Sequence, residues 1–211
     1  MRILKFINQQ LIKDTNMKHL YTSIYHNPGI SRAHLSKQTA LSKTTVSTLI
    51  DELIERNFIL DGGAGESGTT GRKPNQLYLR RNSHFVVVFN WYENRIYTHL
   101  VDIAGTSVFQ EACELKQGEA YVSASRNCFQ NSVLQHCAPD EILGICVVIA
   151  AMIDEKHGEI YSTTISLPSM EGSQILDSLK EAFPDYPVDL LNDTACYSYA
   201  EKVYGGITEK N

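Results

Sequence analysis

The chain has 211 residues, 43% of them hydrophobic and 20% charged, enough apolar material for one sizeable core or for a small domain beside a larger one, which argues against disorder over most of its length. No apolar run approaches the roughly 20 residues that cross a bilayer, and the opening MRILKFINQQLIK turns polar too early for a secretory signal, so a cytoplasmic location is expected. The net charge of −5 hides a split: residues 1–81 carry 12 Lys/Arg against 6 Asp/Glu, and residues 82–211 carry 7 against 18, as in a nucleic-acid-binding head on an acidic body, or in a merely solvated surface.

In DTNMKHLYTSIYHNPG, the residues Met17, Leu20, Tyr21, Ile24 and Tyr25 recur at helical spacing, and Asn27-Pro28-Gly29 ends the helix. Ser31 is placed to cap a short second helix, RAHLSKQTA, and Ser42 a third, SKTTVSTLIDELIERN. Val46, Leu49, Ile50, Leu53 and Ile54 form the apolar stripe of that third helix, while Lys43, Thr44, Thr45, Ser47 and Thr48 crowd its first turns away from the stripe. Phe58-Ile59-Leu60 reads as a strand, GGAGESGTTGRKP as a loop and NQLYLRR as the returning strand, with Leu77 and Leu79 on one side. Three helices and a two-stranded ribbon over residues 1–81 make a winged helix-turn-helix.

Residues 82–211 follow a different pattern. HFVVVFN, RIYTHLVDIA and SVFQEACEL read as three consecutive strands, the first so continuously apolar that burial on both faces is expected. A helix is expected between Glu119 and Cys137, then a buried strand in ILGICVVIAAMID, a short strand in IYSTTIS, a helix in SQILDSLKEAF, a strand in PVDLLND and a closing helix in TACYSYAEKVYG. This order implies an α/β layer with a mixed sheet.

The five cysteines, Cys113, Cys128, Cys137, Cys146 and Cys196, show no CxxC spacing, and their odd number predicts reduced thiols packed as small hydrophobes. The seven histidines do not cluster; His136 and Cys137 are adjacent, but neighbours on a helix point apart. No metal and no cofactor is assigned.

A helix that enters the major groove needs short donors and acceptors on its first turns, because long apolar side chains would hold it off the base edges. Ser42, Lys43, Thr44, Thr45 and Ser47 meet that need: hydroxyls and Lys43 can bind phosphate, and a threonine methyl can touch a thymine methyl. In the loop GESGTTGRKP, Arg72 and Lys73 are placed to reach phosphates or the minor groove, with Gly71 permitting close approach and Pro74 restricting Lys73. The bland alternative is a pair of cations that keeps an edge hairpin soluble.

The run NQQLIKDTNMKHLYTSIYHNPGISRAHLSKQTALSKTTVSTLIDELIERNFI, followed by TTGRKP, resembles the DNA-binding half of the ROK family, a group of repressors and sugar kinases that includes the xylose and N-acetylglucosamine repressor type. The resemblance covers the first 80 or so residues, and the LSKTTVS helix start together with GRKP is its specific part. It implies that residues 82–211 are an incomplete body of the actin-like, ribonuclease H-like sugar-kinase fold. LVDIAG at 100–105 is similar to the family's second strand and turn. Where the family has a phosphate loop of the type Asp-x-Gly-Gly-Thr, this chain has FNWYENR, with Asn90 in place of the aspartate and Trp91, Tyr92 and Glu93 in place of glycines, which should exclude ATP. Ala150, Ala151 and Met152 replace a Pro-Gly-Pro turn. In LLNDTACYSYAEKVYG, Asn192 and Asp193 match the stretch at which the family binds sugar, the aspartate being the general base in its kinases, whereas Ala195 replaces a second asparagine. The same pair would also serve as a plain helix cap.

A family member of full size would continue through a zinc-binding Cys/His cluster and a second lobe, so a fragment and a naturally short chain are both open. The resemblance implies a transcriptional regulator with a double-stranded DNA operator, a sugar or sugar-phosphate effector, a homodimeric state, no membrane partner and no enzymatic activity. A sugar kinase and a winged-helix protein-interaction module without DNA binding are the alternatives.

Overall fold

Apolar residues three and four apart build the first of two units. The computed structural model describes residues 9–64, 75–154, 159–163 and 175–204, within the units Met1–Ser83 and His84–Asn211. In the first unit, α1 (Gln9–His26), α2 (Arg32–Thr39) and α3 (Lys43–Glu55) close around a core that includes Leu20, Ile24, Leu35, Val46 and Ile50, all fully buried. Ser31 and Ser42 cap α2 and α3 as their positions predict. Each side-chain oxygen accepts a backbone N–H three residues on, from His34 at 3.3 Å and from Thr45 at 3.0 Å, which satisfies one of the donors that every helix start leaves bare. Between α2 and α3, Ala40 holds φ 58° and ψ 14°, the left-handed region in which a Cβ is crowded.

The ribbon pairs β1 (Ile59–Ala64) antiparallel with β2 (Asn75–Leu79). The strand expected over Phe58-Ile59-Leu60 in fact begins at Ile59 and continues into the glycines, because a bulge between Asp61 and Ala64 absorbs them. Gly63 supplies the left-handed residue there, at φ 77°, and its N–H donates to Asp61 Oδ1 at 3.1 Å. Leu77 is fully buried and Leu79 packs against the same core. A bridge that the sequence pattern does not announce joins Ile30 to Leu77: Leu77 N–H donates to Ile30 O at 3.1 Å, and Gly29 N–H to Leu77 O at 2.8 Å. The turn before α2 is thereby hydrogen-bonded to the ribbon.

The second unit runs β3 (Phe85–Tyr92), β4 (Arg95–Asp102), β5 (Ser107–Glu114), α4 (Tyr121–Asn131), β6 (Ile142–Ile149), β7 (Ala151–Asp154), β8 (Glu159–Thr163), α5 (Ile175–Ala182), β9 (Val188–Asn192) and α6 (Asp193–Tyr204). Its sheet has the order β5-β4-β3-β6-β9, antiparallel from β5 to β3 and parallel from β3 to β9, which is the mixed sheet implied by the element order. Phe85, Val87, Phe89 and Trp91 are buried with Ile145, Val147 and Ile149 in one cluster with Phe129 and Leu179. The alternate residues Val86 and Val88 are only half-buried, so β3 has one dry face and not the two expected from its apolar run. The run ILGICVVIAAMID also divides: β6 ends at Ile149, and β7 forms a separate hairpin with β8.

Candidate nucleic-acid interface

The core stripe of α3 fixes which of its side chains face outward. Val46, Leu49, Ile50 and Leu53 are buried, which leaves Lys43, Thr44, Ser47, Thr48 and Asp51 along the opposite arc, all exposed except the half-buried Ser47. Among the described residues Lys43 and Thr44 carry no side-chain hydrogen bond or ion pair, so their polar ends are available to a ligand. Thr48 shares that arc, as its spacing from the apolar stripe predicts, and joins the residues named for DNA contact.

The other hydroxyls predicted to contact DNA are already engaged. Ser42 Oγ caps the helix and lies 2.8 Å from Thr45 Oγ1, so these two shape the helix start. Ser47 Oγ accepts from Arg32 Nη1 at 3.0 Å, and the same nitrogen donates to the Ser47 carbonyl at 3.3 Å. Arg32 also lies 2.7 Å from Asp51 on α3 and 4.0 Å from Asp61 on β1. Asp61 in turn accepts from Asn75 Nδ2 at 2.9 Å, immediately after the GRKP motif. Arg72 and Lys73 lie outside the described residues.

In the second unit, the segment FNWYENR, set by the resemblance against a phosphate loop, forms the hairpin from β3 to β4. Tyr92 pairs directly with Arg95, so the turn is only Glu93 and Asn94, with Glu93 at φ 48°. Trp91 is fully buried, its ring stacks on Tyr121 at a centroid distance of 5.0 Å, and its Nε1 donates to Ser125 Oγ at 2.9 Å. The indole is therefore part of the core, with its N–H used inside it.

Asn192 and Asp193 stand where β9 meets α6. Asn192 Oδ1 accepts the Ala195 N–H at 2.8 Å, and Asn192 Nδ2 donates to Ala151 O at 2.6 Å, so this amide caps α6 and ties it to β7. Asp193 Oδ1 accepts from Thr194 N–H at 2.7 Å; its Oδ2 has no partner among the described residues and remains able to accept from a ligand hydroxyl.

A family model for winged helix-turn-helix DNA-binding segments matches residues 13–59. The chain is 28% identical over 203 residues to the xylose repressor of Caldicellulosiruptor bescii, covering 94% of this chain and 50% of that protein. It is 25% identical over 204 residues to the xylose repressor of Bacillus subtilis, covering 94% and 51%. A crystal structure of a ROK family transcriptional regulator, a homologue of the Escherichia coli Mlc protein, superimposes with a TM-score of 0.73 at 18% identity over 92% of this chain and 49% of that one. The chain spans about half the length of the curated relatives it matches. The resemblance to ROK regulators thus extends beyond the head into the α/β body, and among the described residues no helix is long and apolar enough to cross a membrane.

Proposed function

We propose that this chain acts as a ROK-type transcriptional repressor, with an operator-binding head and an α/β body, that controls genes of sugar metabolism. The observation that carries the reading is the outward arc of α3: Lys43 and Thr44 are exposed and unbonded on a helix whose opposite side is anchored in a dry core. The free side chains of that arc would meet phosphates and base edges in the major groove, with Ser42 and Thr45 holding the helix start and Arg72 and Lys73 reaching the backbone or minor groove from the ribbon. The repressor names of the relatives support the direction of control.

In this reading the body is a sensor without enzymatic activity in the cytoplasm. A sugar or sugar phosphate bound at Asp193, on the helix start that Asn192 caps, would change the spacing of two heads in a homodimer. The two-residue turn at Glu93-Asn94 and the buried Trp91 speak against a kinase.

The test is selection of the purified chain on random duplexes, followed by fluorescence anisotropy with the enriched sequences over a range of salt. An enriched palindrome with half-sites one or two helical turns apart and a steep salt dependence supports the reading. A stable dimer that enriches no sequence, even with two heads artificially joined, replaces it with the protein-interaction module.

A further inference from the structure

Among the described residues, Arg32 at the start of α2 has polar contacts on two further elements of the head, α3 and β1. From the first turn of α2 its guanidinium meets Asp51 and Ser47 on α3 and Asp61 on β1, at 2.7, 3.0 and 4.0 Å. Its side chain is only 29% exposed, and Asp61 is 26% exposed. Asp61 passes the connection on: Oδ1 holds the Gly63 N–H in the bulge, and Oδ2 holds Asn75 at the start of β2. A continuous path of polar contacts therefore runs from the outward arc of α3 to both strands of the ribbon, ending next to Arg72 and Lys73 in the sequence.

Charge decides what this path does. One guanidinium between two carboxylates leaves the cluster with a net charge near −1, so Arg32 is committed to these partners and is a poor attractor of phosphate. Two acids beside a polyanion also weaken its binding unless they do something else. Arg32 does supply something else: Nη1 donates to Ser47 and lies 2.7 Å from Asp51, while Nη2 faces Asp61 across 4.0 Å, so one bonded nitrogen and one longer electrostatic contact bridge α3 and β1.

We infer that Arg32 is a positioning residue for DNA binding: through Asp51, Ser47 and Asp61 it sets the orientation of the ribbon relative to α3, and it neutralises no phosphate itself. This inference rests on the operator-binding reading above. It assigns to Asp61, an acid on the DNA-binding head, a contribution that favours DNA binding.

The experiment compares the full chain with Asp61→Asn, Arg32→Ala and the double variant on the duplex enriched by the unaltered chain, using anisotropy over a range of salt and circular dichroism to verify folding. The isosteric Asp61→Asn change preserves the backbone and keeps the test usable if Arg32→Ala unfolds the head. If the path positions the ribbon, Asp61→Asn weakens binding about tenfold although it removes a negative charge. Arg32→Ala weakens binding by a similar factor with an unchanged salt slope, and the double variant is no weaker than either single one. Tighter or unchanged binding by Asp61→Asn overturns the inference while leaving the operator reading intact. So does a fall of about 0.9 in the salt slope for Arg32→Ala, the signature of one lost phosphate contact. Absence of any duplex bound by the unaltered chain overturns both.

Discussion

Trp91 and Ser125 form a buried hydrogen bond between β3 and α4, with Nε1 to Oγ at 2.9 Å and neither side chain in contact with solvent. Burial of an indole N–H without an acceptor costs much of its hydration. Ser125→Ala should therefore destabilise the body by about 1–3 kcal/mol. In a Trp91→Phe background, which has no N–H to leave bare, the same change should cost little. Urea unfolding followed by circular dichroism measures both steps, and equal costs in the two backgrounds would contradict the account.

Ser42 and Thr44 should separate stability from binding. Ser42→Ala removes a cap bonded to Thr45 N–H and should lower head stability by about 1 kcal/mol. Thr44→Ala removes an exposed hydroxyl with no bond among the described residues and should leave the melting temperature unchanged while weakening operator binding. Lys43→Ala should also reduce the salt slope by about 0.9 if that ammonium meets a phosphate. Calorimetry and anisotropy on the same preparations provide the readouts.

Three thiols should resist alkylation. Burial, with neighbouring Cys128 and Glu111, pushes Cys113 up to about 12; burial and Glu141 push Cys137 up to about 11; burial, Cys196 and Asp189 push Cys146 up to about 12. Only the thiolate attacks, so at neutral pH these positions should react with iodoacetamide far more slowly than in the unfolded chain. Each group is held protonated by the fold, so its contribution is fully present below the ordinary thiol range near 9 and is lost as pH rises toward 11 to 12. Mass spectrometry of timed alkylation, with unfolding measured up the alkaline range, checks both statements.

Asn192 and Asp193 should behave differently despite being adjacent. Asn192→Ala breaks the cap on Ala195 and the tie to Ala151 and should cost the body about 1–2 kcal/mol. Asp193→Asn should stay within about 0.5 kcal/mol, yet abolish any sugar-induced change in operator affinity. Thermal shifts and anisotropy with a panel of aldoses and aldose phosphates distinguish the structural residue from the ligand-facing one.

The caps and the core were legible because they depend on local spacing. Ser31, Ser42 and the stripe from Val46 to Leu53 need only helical geometry and a polar residue at the right step. Burial of β3 is less legible, because an apolar run does not show how fully each face of a strand will be covered; Val86 and Val88 remain half-buried. The continuation of β1 through Gly62 and Gly63 was hidden because glycine normally signals the end of a strand, and here it makes a bulge. Residue type could nominate Ser47 for DNA but could not reveal Arg32 as its partner, since Arg32 finds its contacts on α3 and β1 only after the chain has folded.

Ala40 gives the turn between α2 and α3 a mechanical character. A glycine there would reach the same left-handed geometry freely, whereas the alanine Cβ is crowded at φ 58°, so the packing of the two helices holds this residue against its own preference. The joint is thereby a small store of strain, about 1–2 kcal/mol, that unfolding of either helix releases.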